Sequence, residues 1–283
     1  MRGNLKYLKE KIFGFNQNNK SKINNYEIYF KNLSDKNGLE IGGPSQIFNK
    51  KGELPIYSII NDLDGVNFAP NTIWTGKIEK GKSYNFYGRK KGYQYICDSV
   101  NLSMIKDKQY DFLLASHVLE HIANPFKAIS EWLRILKDNG IILIILPHKD
   151  GTFDHKRPVT DLNHLIEDFE LNIGEDDLSH LPEILNFHDF NIHDPTEDFE
   201  SLKERCLNNY ENRCLHHHVF DTKLVIEIIN YFKIKIISVD LISPYNIILL
   251  GEKIENFQEG TNDKFFDDED LILKSPFKPD EKI

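Results

Sequence analysis

Cysteine is scarce in this chain: three residues in 283, Cys97, Cys206 and Cys214, with no CxxC pair among them. That excludes a disulfide scaffold and fits a reducing compartment. Long apolar runs are missing too. None approaches the length of a membrane span, and residues 1–20 lack the apolar core of a signal peptide, so a cytoplasmic protein is expected. Positive charge is also short, with 35 Lys and Arg against 44 Asp and Glu and a net charge of −9. A general nucleic-acid binder needs a basic footprint, so that class of partner is excluded. Part of the acidity is local, because residues 256–283 hold eight acids and four lysines. This acidic, patchily apolar tail either stays disordered or docks on the body.

What is present is rhythm. The chain is 40% hydrophobic, enough for one large domain with an embellishment. Residues 1–15 suit a short basic amphipathic helix, and "NQNNKSKINN" reads as a linker. From Gly38 short apolar runs alternate with turn signals. Leu39–Ile41, Ile56–Ile60, Tyr93–Cys97 and Tyr110–Ala115 are expected as strands, the second ending at "NDLDG". Asn124 and Pro125 then open a helix in which Phe126, Ile129, Leu133 and Leu136 share a face, with Gly140 as its C-terminal glycine. "IILIILP" follows, as in a strand buried on both faces of a parallel sheet. The alternation predicts an α/β fold with a doubly wound sheet. Residues 150–215, rich in His, Asp, Glu and Asn, break the rhythm and read as a helical and loop insertion. A helix over 222–232 and strands over 234–242 and 245–250 close the domain. The short Ser-Pro turn between those strands forces an antiparallel hairpin, since a parallel crossover needs a dozen or more residues.

"LEIGGPS" places two glycines and a proline directly after the first strand. Gly42 and Gly43 permit positive φ or close approach to a ligand, although a tight turn without a ligand needs the same residues. Ligands of open α/β sheets bind beyond the carboxyl ends of the strands. An NAD site wants a third glycine and a long following helix to carry the pyrophosphate. Neither is present, so an NAD-dependent oxidoreductase or epimerase is the disfavoured alternative.

With "LEIGGPS" and the forty-residue block "YDFLLASHVLEHIANPFKAISEWLRILKDNGIILIILPHK", the chain resembles the class I S-adenosylmethionine-dependent methyltransferases of small molecules. The resemblance covers residues 36–150 and again 219–253. It implies a seven-stranded, mostly parallel Rossmann-like sheet within a methyltransferase domain over 36–255. An N-terminal helix and linker over 1–35 precede that domain, a substrate-covering insertion at 150–215 interrupts it, and the tail follows from 256. Carried onto this sequence, it places Glu40, Ile41, Gly42, Gly43, Pro44 and Ser45 around the methionine end of S-adenosylmethionine. Asp62, or alternatively Asp64, would accept hydrogen bonds from the ribose, Asp98 and Ser99 would meet the adenine, and Ser116 and His117 would flank the methionine. His117 and His121, four apart, resemble a cofactor-pocket block more than a metal motif.

Just past the fifth strand, His148, Asp150, Asp154 and His155 supply a candidate base for a hydroxyl acceptor, with His155 first and His148 second. His216, His217 and His218 raise the alternative that these histidines join His148 and His155 around a divalent metal. "KIEKGKSYNFYGRKK" is either a solvated hairpin or a site for a phosphorylated acceptor. The resemblance implies O-methylation of a sugar or phosphorylated precursor for a bacterial surface polysaccharide. Methylation of a small amine and a catalytically silent binding protein remain open.

Overall fold

The computed structural model describes residues 23, 25–192, 198–266, 268, 271 and 274–277; the basic helix expected over 1–15 lies outside them. The first described helix is α1 (Tyr26–Leu33), where Tyr26, Tyr29, Phe30 and Leu33 recur at helical spacing and are buried. This helix falls within residues 1–35, where an N-terminal helix and linker are expected, so the packed body begins before residue 36. Next come β1 (Asn37–Ile41), β2 (Asp62–Asn67), the two-residue strands β3 (Asn71–Thr72) and β4 (Gly76–Lys77), β5 (Gly81–Tyr87), β6 (Lys90–Ile96) and β7 (Tyr110–Ser116). Helix α2 (Pro125–Ile135) leads into β8 (Leu136–Pro147). The insertion carries α3 (Leu162–Glu170), α4 (Leu181–Phe187), α5 (Phe199–Leu207) and α6 (Asn209–Asn212). The chain then runs through α7 (Thr222–Tyr231), β9 (Ile234–Ile242), β10 (Asn246–Lys253) and α8 (Asp263–Phe266).

The main sheet has eight strands in the order β5-β6-β2-β1-β7-β8-β10-β9. The pairs from β6 to β8 are parallel, and β10 runs antiparallel to both β8 and β9. The antiparallel end is the one that the short Ser-Pro turn requires. The eighth strand is β5, which pairs antiparallel with β6 and extends the other edge. It arises from the basic, aromatic stretch, where Tyr84 and Phe86 point inward and are buried while Lys82 and Lys90 lie along the edge. None of the cations in that stretch borders the cavity described below.

Two cores sandwich the sheet. On one face α2 and α7 pack Phe126, Ile129, Trp132, Leu224 and Ile228 onto Leu39, Leu113, Ile142, Ile144 and Leu249. On the other, α1 and the β1–β2 crossover pack Tyr29, Phe30, Phe48 and Tyr57 onto Phe112, Leu114, Leu143, Ile145 and Ile248. Strand β8 contributes to both cores, as its unbroken apolar run demands. Asn124 caps α2 by accepting from Lys127 N at 3.0 Å, with Pro125 at the first helical position. The helix ends at Ile135, however, and Gly140 lies inside β8; the left-handed residue here is Asn139, at φ 58°.

The second strand also differs from expectation. Residues 56–60 form turns rather than a strand, burying Ile56, Tyr57, Ile59 and Ile60 under the sheet. Their apolar spacing matches three- and four-residue steps instead of alternation, so the run plugs the second core. The strand is Asp62–Asn67, and Asp62 therefore begins it rather than following it. The described part of the tail docks. Asn262 accepts from Ile236 N and donates to Ile234 O at 2.9 Å each, and Phe265 and Phe277 are buried.

Candidate active site

The carboxyl ends of β1, β2, β6 and β7 open onto a cavity of about 510 Å³. This position follows from topology, since the strand order reverses at β1: the chain builds β2 and β6 to one side of it and then crosses to build β7 and β8 on the other. Ile41, Gly42, Pro44 and Ser45 from the first loop line the cavity, with Asp98 and Ser99 after β6 and Ser116 and His117 after β7. The sequence reading singled out all of these. Gly42 takes φ +76° and donates to Val66 O at 2.8 Å, and a Cβ there would meet Val118, so the loop needs glycine to run this close.

Glu40 and Gly43 do not line the cavity; they build the loop from beneath. Glu40 is fully buried, and its Oε1 accepts from Ser45 N at 3.0 Å and Ser45 Oγ at 2.6 Å. Its Oε2 accepts from Tyr57 Oη at 2.7 Å and Tyr84 Oη at 2.6 Å. Burial pushes the Glu40 carboxyl up and the four donors oppose that shift. A Cβ on Gly43 would strike Glu40 and the Tyr84 hydroxyl, so this glycine makes room for protein rather than for ligand.

The ribose acid is a correction. Asp62 lies at the opposite end of β2, 3.8 Å from Lys82 Nζ. Asp64 accepts from Tyr93 N at 2.6 Å and Tyr110 Oη at 2.7 Å within the sheet. The strand delivers Asn67 and Phe68 to the cavity instead, and Asn67 Nδ2 donates to Gly43 O at 3.1 Å. The carboxylates on the cavity wall are Asp98 and, from the β1–β2 crossover, Glu53.

The base candidates are displaced as well. The ring of His148 is buried against Phe277, with centroids 4.1 Å apart and planes within 8°, and its backbone N–H bonds Tyr245 O. Asp150 is exposed. His155 Nε2 meets Asp189 Oδ2 at 2.8 Å on the insertion. Asp154 is buried, accepting from Arg157 Nη1 at 3.0 Å and bonding His216 Nδ1 at 2.6 Å. None of the four lines the cavity. The physical reason is the β9–β10 turn, whose Pro244 and Tyr245 fill the rim where β8 ends and turn the chain aside. His148 and His155 therefore do not gather with His216, His217 and His218.

The histidines at the cavity are His117 and His121, with His216 behind them. His117 Nε2 lies 2.9 Å from Asn246 Oδ1 and its Nδ1 lies 3.4 Å from Glu120 Oε1. Burial would lower its pKa, but the Glu120 carboxylate outweighs that and holds it raised. His121 packs on Trp74 and on His216, at centroid distances of 5.2 and 4.6 Å. Its Nδ1 faces Leu215 O at 3.3 Å, which makes Nδ1–H the donor and leaves the lone pair on Nε2. Burial and the neighbouring His216 push it down to about 3, so it is neutral. Glu120, His121 and His216 each offer a ligand atom within 4.8 Å of the other two, a grouping able to hold a divalent cation.

Arg213 reaches in from the insertion. Its Nη2 pairs with Asp98 Oδ2 and its Nη1 with Glu175 Oε1, at 3.0 Å each, while its guanidinium lies 5.3 Å from the Phe68 ring centre. Trp74, Tyr245 and Asn246 complete the wall. The "SHVLEHI" spacing and the histidine triplet were visible signals for His121 and His216, whereas Arg213 and Trp74 carried none.

Residues 59–144 match a protein-family model described as a methyltransferase domain. A 56-residue stretch, 20% of the chain, is 38% identical to an uncharacterised protein of Methanocaldococcus jannaschii and spans 24% of that relative. An S-adenosylmethionine-dependent methyltransferase structure from Methanosarcina mazei aligns at 15% identity and TM-score 0.44, covering 82% of this chain and 99% of that one. One from Aquifex aeolicus aligns at 10% identity and TM-score 0.40, covering 82% and 92%. Among the described residues no helix is long and apolar enough to cross a membrane.

Proposed function

We propose that this chain, whose residues 59–144 match a methyltransferase-domain model, is a class I S-adenosylmethionine-dependent methyltransferase that methylates a hydroxyl group of a small acceptor, a sugar or phosphorylated precursor of the kind that surface polysaccharides are built from. S-adenosylmethionine supplies an electrophilic methyl group on a sulfonium. The chain's own residues fit that donor. The loop from Ile41 to Ser45 approaches closely at Gly42, and the two wall carboxylates, Asp98 and Glu53, suit the hydroxyl and amino groups of a nucleoside. The volume of about 510 Å³ lies within the range of small-molecule sites.

One observation carries the choice of a hydroxyl: His121 presents an imidazole to the cavity with its donor nitrogen already committed to Leu215 O. An alcohol must lose a proton on methylation, whereas an amine acceptor asks less of a base. An oxygen that has begun to bond a methyl group is strongly acidic, so even a weakly basic imidazole takes its proton. His216, fixed by Asp154, holds the His121 ring in place from behind. A phosphorylated acceptor draws support from Arg213, which lines the same cavity and whose guanidinium a phosphate would share with Asp98.

The test is His121→Asn, assayed with labelled S-adenosylmethionine against sugar phosphates, nucleotide sugars and small amines. The expected loss in kcat is about 10²–10⁴-fold on the hydroxyl acceptor. Calorimetry should show S-adenosylhomocysteine binding nearly unchanged. Undiminished turnover in His121→Asn, or turnover of amines alone, defeats the proposal.

A further inference from the structure

Four side chains of the insertion and its exit form a second cluster, separate from the cavity. His164 and Asp168 project from one face of α3, four residues apart. His180 stands at the N-terminal boundary of α4. His218 belongs to the segment that leads into α7 and is fully buried. One ligand atom from each lies within 4.8 Å of the other three. His164 Nε2 is 3.1 Å from His180 Nε2 and 3.4 Å from Asp168 Oδ2.

Those separations lie within a few tenths of an ångström of what a tetrahedral ion imposes. Zinc bonds imidazole nitrogen at about 2.0–2.1 Å and carboxylate oxygen at about 2.0–2.2 Å, which sets neighbouring ligand atoms roughly 3.3–3.5 Å apart. The hydrogen-bond pattern says the same. Asp168 is nine-tenths buried, yet its Oδ2 has no hydrogen-bond partner. His218 Nε2 lies 3.1 Å from the Ala123 carbonyl and 3.7 Å from Asp168 Oδ2, and its Nδ1 is buried and has no hydrogen-bond partner. A backbone carbonyl on one ring nitrogen fixes the ring of a metal-bound histidine in the same way. Leaving such groups unpaired in a protein interior costs about 1–3 kcal/mol each.

We propose that His164, Asp168, His180 and His218 bind a structural zinc ion. The site has four protein ligands, the closed count that sets structural zinc sites apart from catalytic ones with an open position. It also answers a packing need. Apart from the ligands, the buried apolar cluster of the insertion is small, built on Ile184, Leu202, Cys206 and Leu215. So small a core needs a staple. The ion joins α3, the start of α4 and residue 218. It thereby fixes the strand of chain from Arg213 to His218, which supplies Arg213 to the cavity and His216 to His121. Zinc in this place positions the insertion and takes no part in the chemistry.

The experiment is elemental analysis of the full-length protein after exhaustive dialysis, followed by thermal melts with and without a strong chelator. One zinc per chain is expected, and chelation should lower the Tm by roughly 10 °C, reversibly on adding zinc. His164→Ala and His180→Ala should each lose the metal, whereas His121→Asn should keep it, which separates this site from the cavity histidines. Should the alanine variants fail to fold, cobalt substitution of the wild-type protein reads the site directly, through the intense visible bands of a tetrahedral ion. Protein that holds no zinc, gains no thermal stability from it and gives no tetrahedral cobalt spectrum overturns the proposal. Full zinc content in His164→Ala or His180→Ala overturns it equally. In either event the cluster is a hydrogen-bonded histidine pair only.

Discussion

Glu40→Gln is the sharpest probe of how the cavity loop from Ile41 to Ser45 is held. The carboxylate is fully buried and takes four donors, Ser45 N and Oγ on one oxygen and the Tyr57 and Tyr84 hydroxyls on the other. A glutamine keeps the shape and turns one oxygen into a donor. The amide oxygen must stay on Ser45, because a backbone N–H cannot reverse its role. The new NH₂ then faces two hydroxyls that now point their protons at it. Tyr57 Oη, which already accepts from Ser45 N at 2.7 Å, has to accept again. Hydrogen bonds to a charged group contribute about 1.5–3 kcal/mol and neutral ones about 0.5–1.5, so four bonds lose roughly 4 kcal/mol gross. Relief from burying a charge offsets part of this, leaving about 1–3 kcal/mol of destabilisation.

Urea unfolding reads the midpoint shift, and calorimetry with S-adenosylhomocysteine reads the loop. Ser45 lines the cavity and Gly43 rests on Glu40, so affinity should fall by about tenfold, near 1.4 kcal/mol. The pH dependence gives a further check. The folded pKa of Glu40 lies above its ordinary value of 4.5, so between the two the native state binds more protons than the unfolded one. Stability from this group therefore rises as pH falls through the folded value towards 4.5. The gap between wild type and Glu40→Gln should widen over that window. An unchanged midpoint, an unchanged affinity and parallel pH curves would refute the account of the loop.

Two further outcomes follow from the side-chain partners. Arg213→Ala removes the cation shared by Asp98 and the buried Glu175, and should cost about 2 kcal/mol, less than a fully buried pair because Arg213 is partly solvated; hydrogen exchange should rise over residues 209–218, and unchanged exchange there counts against the bridge. His155→Ala removes only a partly exposed pair with Asp189, whose oxygen Lys156 also holds at 2.8 Å; kcat should stay within about twofold of wild type and stability within about 1 kcal/mol, and a large loss of rate would bring His155 back as the base.

The parts of the fold legible in the sequence were those fixed by local chemistry. Asn124 and Pro125 announce a helix start wherever they stand, and an unbroken apolar run such as Ile141–Leu146 has to be buried on both faces. The second strand was illegible because its own sequence, Asp62–Asn67, is largely polar, while the apolar run before it looks more strand-like than it is. That local error had a long-range result. Taking residues 56–60 as the strand moved Asp62 from the start of a strand to the end of one, the full length of the sheet away from the cavity.

The site divides in the same way. Residues directly after a strand end arrive at the cavity because the sheet carries them there, which is why Asp98, Ser99, Ser116 and His117 line it as the sequence suggested. The stretch past β8 failed by the same logic applied once too often. Strand β8 does end on the active face, but it is flanked by β10, whose turn brings Pro244 and Tyr245 into that space. The room that His148 and His155 would need is already taken by a residue almost a hundred positions away. The histidine that we propose as the base lies elsewhere, in the 3-10 turn after β7 as His121, braced by His216 from the far end of the insertion. Spacing along the chain could mark both residues as worth noting. Only the path of the insertion, closing back over the strand ends, could bring them together.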